Sequence, residues 1–160
     1  MSINPVIRSA TDADIAVITE FLIAQALESE NLRLDPETAR RGVAHAVAHP
    51  AQGRYFVAES DGRVVGQLMI TYEWSDWRAK VFWWIQSVYV HPDYRGRGVF
   101  RSLYRHVESL ARQDVGVCGI RLHVHHDNHR AMAAYEKLGM APANYRVYKA
   151  DWSGLGKEEG

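Results

Sequence analysis

Residues 88–100 read Val-Tyr-Val-His-Pro-Asp-Tyr-Arg-Gly-Arg-Gly-Val-Phe and carry the clearest local pattern of the chain. An apolar run ends before Pro92, and a glycine-rich turn follows it. The next segment has apolar residues at helical spacing, namely Val99, Leu103, Val107 and Leu110. The pattern predicts a strand, a tight turn and an amphipathic helix that begins at the turn.

The turn has the features of an anion site. The first N–H groups of a helix have no acceptor within the helix and lie at the positive end of its dipole. Gly96 and Gly98 let the backbone approach a ligand closely, and positive charge comes from Arg95, Arg97 and Arg101. These features predict a cradle for a diphosphate. A plain glycine-rich turn with solvated arginines is the alternative, and neither a Walker loop nor a dinucleotide-binding turn fits the glycine spacing.

The flanking sequence predicts further strands and helices. We expect a strand at 5–9, helices from Thr11 and from Asp35-Pro36, strands at 55–59, 64–72 and 81–90 with a loop at 73–80, a helix at 98–112, a strand at 119–125, a helix at 128–138 and a strand at 144–150. The order β-α-α-β-β-β-α-β-α-β predicts a mixed α/β (α+β) fold, with helices on the faces of a mostly antiparallel sheet of about six to seven strands.

Length and charge limit the classes of function. The 160 residues fit one domain, which we expect at 1–152, with a flexible tail at 153–160. The net charge of +0 gives no general attraction to nucleic acid or to an anionic membrane, so we expect neither partner. The single Cys118 and the lack of a signal pattern predict a cytoplasmic protein.

Two motifs resemble those of the GCN5-related N-acetyltransferase (GNAT) superfamily. Residues 95–100 are similar to its Gln/Arg-x-x-Gly-x-Gly/Ala signature at the first and fourth positions, whereas Phe100 departs from the small residue of the sixth. The segment that runs from Asn128 through Ala131 and Tyr135 to Gly139 is similar to the helix that follows the fifth strand of the family. The order of elements matches from about residue 5 to residue 150.

This resemblance implies an N-acetyltransferase that moves an acetyl group from acetyl-CoA to a primary amine by direct attack in a ternary complex. It implies that acetyl-CoA lies on Val88, Tyr89, Val90, Arg95, Gly96, Arg97, Gly98, Val99, Phe100, Arg101, Asn128 and Tyr135. We expect a small amine as acceptor and leave a protein amine and a homodimer open. The alternative is a non-catalytic acyl-CoA-binding module of the same fold.

The chemistry of amine acetylation suggests roles for two side chains. By resemblance, Tyr135 is the acid that protonates the departing thiolate. Glu73 is the first candidate for the base, directly or through a water, and Asp76 is the second. A carboxylate there could instead hold the ammonium of the acceptor or simply be solvated, and an ordered water chain could replace a dedicated base.

Acids are interleaved with tryptophans at 73–77, and the strand at 81–90 carries further aromatic residues, a composition that suits a cationic amine. Alternation along this strand puts Trp83 on one face and Trp84 on the other. We expect the acceptor to contact Glu73, Trp74, Asp76, Trp83 and Gln86. Core packing is the alternative for at least two of the tryptophans.

Four histidines crowd together at 123, 125, 126 and 129, so a metal site is conceivable. Because no cysteine is near and carboxylates are few, we expect no metal.

Overall fold

The structure is a computed structural model, and it describes residues 1–156. Its strands are β1 (Val6–Ser9), β2 (Arg54–Ser60), β3 (Arg63–Ser75), β4 (Lys80–Val90) and β5 (Val117–Leu122), and its helices are α1 (Ile15–Glu30), α2 (Pro36–Ala48), α3 (Val99–Gln113) and α4 (His129–Lys137). Single 3-10 turns precede α1 and α3, at Asp12–Asp14 and Pro92–Tyr94. The chain divides into two compact units, Met1–His123 with the whole sheet and Val124–Gly160 with α4.

The five strands of the first unit form one sheet in the order β1-β2-β3-β4-β5. β1 to β4 pair with one another in antiparallel order, and β5 runs parallel to β4 after the crossover through α3. Asp61 and Gly62 have positive φ angles of 51° and 73°, the backbone geometry that an Asp-Gly pair favours in a tight hairpin, here between β2 and β3. The prediction of a mixed α/β fold is confirmed.

Helices cover both faces of this sheet. On one face α3 packs so closely on β3 that a Cβ atom at Gly66 would lie 3.0 Å from Val99. On the other face, α1 and α2 pack on β2 and β3 through a buried cluster, formed by Ile18, Val43, Ala46, Tyr55 and Val57. Residues of β3 alternate between the two faces, as the pleat of a strand requires.

The predicted bounds of β3, β4 and β5 need correction. The segment 73–80, expected as a loop, is mostly strand, because Glu73 pairs with Phe82 and Trp74 with Val81. Only residues 76–79 form the turn, since aromatic side chains at 72, 74, 82 and 83 favour extended pairing. The next strand spans 117–122 rather than 119–125.

The predicted strand at 144–150 is wrong. The structure assigns no strand to the described residues after α4, and Tyr145, Val147 and Tyr148 are 74%, 69% and 88% exposed. An alternating sequence forms a strand only where another strand pairs with its backbone. The sheet therefore has five strands rather than six to seven. Of the expected tail, Ser153 hydrogen-bonds Asp151, and residues 157–160 lie outside the described residues.

A buried carboxylate ties β1 to the start of α1. Asp14 is 4% exposed and accepts hydrogen bonds from Arg8 Nη1 and Nη2, at 2.7 and 3.0 Å, and from the backbone N–H of Thr11 at 2.7 Å. The bonds from Arg8, and then that from Thr11, hold the pKa of Asp14 below its ordinary value against the opposing effect of burial. The charged form of Asp14 therefore stabilises the fold.

We expect Asp14→Asn to lower the free energy of unfolding at pH 7 by about 2 kcal/mol, because hydrogen bonds to a buried charged group are lost. Since the folded pKa is the depressed one, this difference should be full above about pH 4 and shrink as the pH falls through the folded pKa. Urea titrations at several pH values measure it, with the exposed Asp93→Asn as control. A difference that is constant down to pH 2 would contradict the assignment.

Candidate active site

The pairing of β4 changes at Gln86. Before this point Ile85 pairs with Ile70 of β3, and after it Ser87 pairs with Met69, so that Gln86 is an extra residue in β4. Such a β-bulge bends a strand and increases its twist. The parallel pairing with β5 ends at the same place, with Ile85 opposite Leu122. Residues 86–90 of β4 thus extend beyond the end of β5.

The backbone of Val88 and Val90 points away from β3. The N–H of His91 donates to the carbonyl oxygen of Val65 at 2.9 Å, and backbone groups of successive strand residues point in opposite directions. The N–H and C=O groups of Val88 and Val90 therefore lie along the side of β4 where β5 has ended. The sequence predicted this edge for ligand binding; Tyr89 instead points its ring to Phe21 of α1, at 5.1 Å between centroids.

The predicted glycine turn has the conformation that its sequence requires. Gly96 and Gly98 have φ angles of 73° and 86°, in the region that side chains with a Cβ avoid. Gly98 is the N-cap of α3, and the carbonyl of Arg97 accepts a hydrogen bond from the N–H of Ile3 at 2.9 Å. The turn is thus held by the N-terminal segment through Ile3 and by the start of α3. The positive end of the α3 dipole lies where the turn ends.

Arg95 has a structural partner that the sequence did not reveal. Its Nε donates to the carbonyl of Val90 at 2.9 Å, and its Nη2 donates to Glu28 Oε2 of α1 at 2.7 Å. The same carboxylate accepts the hydroxyl hydrogen of Tyr89 at 3.0 Å, and the guanidinium lies 5.2 Å from the centre of the Tyr89 ring. Arg95 therefore links α1, the end of β4 and the turn.

Arg97 and Arg101 are the cations of the turn that stand apart from acidic side chains. Within residues 1–156, the recorded ion pairs include neither of them, and Arg97 lies 5.6 Å from the ring centre of Tyr94. Phe100, the departure from the family signature, is half-buried and lies 6.3 Å from the ring of Tyr104 on the next turn of α3. Its ring therefore runs along its own helix.

A buried atom on α1 lacks a hydrogen-bond partner. In the described part of the chain, Gln25 Oε1 is the buried side-chain oxygen or nitrogen without one. Gln25 lies on the helix face of Phe21 and Glu28, four residues before and three after, and both of these contact Tyr89 of β4. Because an unsatisfied buried acceptor is costly, a ligand that donates an N–H or O–H here would be favoured.

Glu73 lies in an ion pair. Arg121 Nη1 of β5 donates to Glu73 Oε1 at 2.7 Å, and the guanidinium carbon of Arg121 lies 3.7 Å from the ring centre of Phe82. Gln86, also on this face, donates from Nε2 to Thr71 Oγ1 at 2.8 Å. The sequence analysis missed Arg121, although an arginine within an apolar strand was a usable signal.

The predicted acceptor residues do not all share one face. Glu73 and Gln86 lie on the α1–α2 side, whereas Trp83 is 8% exposed and packs across from Tyr72 on the α3 side, at 6.2 Å. Trp74 also lies on the α3 side and is 65% exposed. Asp76 is in the turn 76–79, where its carboxylate accepts the N–H of Trp77. Half-buried Trp84 lies on the same side as Glu73 and Gln86, with its ring centre 4.5 Å from that of His123.

The second unit carries the other two predicted residues. Asn128 is the N-cap of α4, and its side-chain oxygen accepts the N–H of Ala131 at 3.1 Å. Tyr135 is half-buried about two turns further along α4, and burial raises the pKa of its phenol. A phenol with a raised pKa keeps its proton at neutral pH, as a general acid must.

Two histidines of the second unit, His125 and His126, lie close to the carboxylate of Asp127. His125, His126 and Asp127 each offer a ligand atom within 4.8 Å of the others, and all three are exposed. The absence of a metal remains a prediction from sequence.

A family model of the acetyltransferase (GNAT) family matches residues 18–140. The chain belongs to the GNAT family. The match spans the bulged β4, the glycine turn and α4, so the resemblance inferred from residues 95–100 and 128–139 is confirmed.

Similar proteins include a solved structure and two curated acetyltransferases. A possible acetyltransferase from Clostridium difficile 630 is 38% identical, with a TM-score of 0.86 over 91% of this chain and 96% of that one. Thialysine N-epsilon-acetyltransferase of Bos taurus is 34% identical over 76 residues, 48% of this chain and 44% of the relative. Streptothricin acetyltransferase of Streptomyces lavendulae is 34% identical over 97 residues, 60% and 49% of the two chains. This chain spans about half the length of these curated relatives.

We expect Gly98→Ala to destabilise the protein by about 1–2 kcal/mol, because its φ of 86° is strained for any residue with a Cβ. A Cβ there would meet no atom within 4 Å, so the effect comes from the backbone alone. The matched control is Gly42→Ala, at a solvent-exposed position in the middle of α2, which should stabilise the protein by about 0.5–1 kcal/mol. Urea unfolding measures both, and shifts of the same sign would refute this explanation.

Proposed function

We propose that the protein is an N-acetyltransferase that moves the acetyl group of acetyl-CoA to a primary amine of a small molecule. The observation that carries this proposal is the free edge of β4 after the bulge, which leads directly into the glycine turn at the start of α3. An extended amide-bearing chain adds to such an edge as a further strand does, and a diphosphate suits the turn. Both parts of coenzyme A thus have a matching surface.

The free edge of β4 and the glycine turn determine which residues we propose to hold acetyl-CoA. Val88 and Val90 offer backbone N–H groups to the pantetheine amides, although the carbonyl of Val90 is already engaged by Arg95. The turn from Gly96 to Arg101 receives the diphosphate, and Arg97 and Arg101 supply positive charge. Arg95 acts here mainly by fixing the turn to Glu28, and Asn128 remains a proposed partner of the pantetheine arm.

The transfer needs one bond to form and one to break. The acceptor nitrogen attacks the thioester carbonyl, the N–C bond forms, and the C–S bond breaks. The nitrogen loses a proton, and the departing sulfur gains one from Tyr135, whose raised pKa keeps that proton available. A backbone N–H of the free β4 edge is the proposed donor to the carbonyl oxygen as it becomes negative.

The ion pair with Arg121 supports a binding role for Glu73. One of its oxygens accepts a hydrogen bond from the guanidinium at 2.7 Å, and the other keeps its capacity to accept from the ammonium of an acceptor. Of the roles considered for Glu73, we therefore favour holding positive charge on the acceptor. His123, exposed beside Trp84 at the end of β5, is the side chain that we propose to accept the proton of the amine through water.

The donor site is tested by calorimetry with acetyl-CoA. We expect Arg101→Gln to weaken binding about tenfold at low salt, because a charge-assisted hydrogen bond contributes about 1.5 kcal/mol. The effect should shrink as salt rises. The control is Arg112→Gln on the same helix, whose guanidinium bonds Glu108, and it should bind as the wild type does. No binding of acetyl-CoA by the wild type at high micromolar concentration would refute the proposal.

The acid is tested by Tyr135→Phe. We expect kcat to fall by roughly 100-fold or more, the range of a lost general acid, with the Kd of acetyl-CoA unchanged. The exposed Tyr148→Phe is the control. Since the protonated phenol is the active form and burial raises its pKa, the wild-type kcat should fall only above about pH 10. Equal turnover by Tyr135→Phe and the wild type would remove this role.

The alternative, a non-catalytic module that binds acyl-CoA, predicts binding without thiol release for any amine. A protein amine as acceptor, a homodimer and a cytoplasmic location remain predictions from sequence. No helix of residues 1–156 has the length and apolar character needed to cross a membrane.

A further inference from the structure

A cavity of about 500 Å³ lies at the end of the sheet where β1 ends and β2 begins. Ser9 and Arg54 line it from these two strands, and Pro50 and Ala51 line it from the loop that joins α2 to β2. Its volume is within the range of small-molecule sites. None of the residues that line it is among those proposed to hold acetyl-CoA or its acceptor.

One side of the cavity carries a guanidinium that lacks an acidic partner. Arg54 Nη2 donates to Ser9 Oγ at 2.8 Å, and among residues 1–156 the recorded ion pairs do not include Arg54. The guanidinium carbon lies 4.6 Å from the ring centre of Phe56, which supports the side chain. Because the bond to Ser9 uses one of the five N–H groups of Arg54, the remaining ones are available to a carboxylate.

A second polar group of the cavity is the hydroxyl of Tyr55. Tyr55 is 4% exposed, and in the part of the chain that the structure describes its hydroxyl makes no hydrogen bond. The fully enclosed polar side-chain atom without a partner in the same part is Gln25 Oε1. The Tyr55 hydroxyl therefore reaches accessible space, and the cavity that Tyr55 lines provides it.

The two polar groups lie on different sides of the strand. Tyr55 belongs to the buried cluster beneath α1 and α2, whereas Arg54 lies on the ring of Phe56 on the α3 side. Apolar side chains make up most of the remaining lining, including Ala10, Ala46 and Val47. A ligand that meets both polar groups must therefore carry its own polar groups at opposite ends of an apolar body.

The loop beside the cavity is held in place. The hydroxyl of Tyr72 donates to the carbonyl of Pro50 at 3.0 Å, and this bond ties the loop to β3. Burial raises the pKa of Tyr72 and the charge of Arg54 lowers it, which puts the guanidinium near this hydroxyl. The cavity is thus formed before a ligand binds, which lowers the entropic cost of binding.

We propose that this cavity binds a small carboxylic acid with an apolar body, its carboxylate on Arg54 and a hydroxyl group at its other end on Tyr55. The site is separate from the one proposed for acetyl transfer, and the inference does not rest on that function.

The probe for this site is 4-hydroxybenzoate, which carries a carboxylate and a hydroxyl at opposite ends of a ring. It is compared with 4-hydroxybenzamide, which lacks the charge, and with benzoate, which lacks the hydroxyl. Titration followed by the backbone amide shifts in NMR measures each Kd and locates the ligand. We expect shifts at Ala51 and Gly53, a Kd about tenfold higher for the amide and a Kd about fivefold higher for benzoate.

Variants separate the two contacts. Arg54→Gln should weaken binding of 4-hydroxybenzoate about tenfold and leave 4-hydroxybenzamide unchanged, whereas Arg54→Lys should retain part of the preference because it keeps the charge. Tyr55→Phe should bind 4-hydroxybenzoate and benzoate equally. Arg63→Gln, at the first residue of β3, is the control and should bind as the wild type does. Thermal unfolding of each variant shows whether it is folded.

Equal binding of 4-hydroxybenzoate and its amide, or an equal loss of both in Arg54→Gln, would overturn the inference. Shifts confined to Gly96 and Gly98 would do the same, because they would place the acid on the arginines of the glycine turn. A Tyr55→Phe protein that still prefers 4-hydroxybenzoate to benzoate would refute the contact with Tyr55.

Discussion

The extra residue at Gln86 is the constraint on which the arrangement of the site depends. Up to Ile85, β4 is an ordinary central strand with a partner on each side. The bulge turns the remaining residues away from β5 and leaves their backbone groups at an edge. Beside it, Gln67 and Ser87, both buried, hydrogen-bond one another at 2.9 and 3.3 Å and hold the register of the bent part. A polar pair in the core thus fixes the opening of the sheet.

The glycine turn depends on this edge, because β4 sets its direction. Arg95 then connects the turn to two elements, the end of β4 through the carbonyl of Val90 and α1 through Glu28, which also accepts the hydroxyl of Tyr89. The arginine that begins the signature therefore stabilises the shape of the turn. In the proposed function, Arg97 and Arg101 supply the positive charge that meets the phosphates.

Local features of this protein could be predicted from sequence, and long-range ones could not. Asp61-Gly62, Gly96 and Gly98 specify backbone angles by themselves, so the hairpin and the turn were accessible. The bulge at Gln86 results from the register between two strands, which no single segment contains. Residues 144–150 show that a local pattern alone is insufficient. Their alternation is typical of a strand, and yet the structure assigns no strand to them.

The difference between local and long-range features also explains which parts of the candidate acceptor site could be predicted. Alternation along β4 was read correctly for Trp83 and Trp84, but only the packing of α3 shows that Trp83 lies on the covered face. Glu73 and Arg121 are 48 residues apart, and their contact exists only because β5 returns beside β4.

The direction of β4 also orders the two proposed substrates. One end of the strand leads to a positive turn suited to the phosphates of the donor, and the other lies beside the ion pair of Glu73 and Arg121. In a protein of net charge +0, recognition of charged substrates depends on such local charges rather than on an overall field. In the proposed function, acetyl-CoA lies along the free edge and the acceptor lies on the side of the sheet that carries Glu73 and Trp84. Gln86, the residue whose insertion opens the edge, then lies between the two.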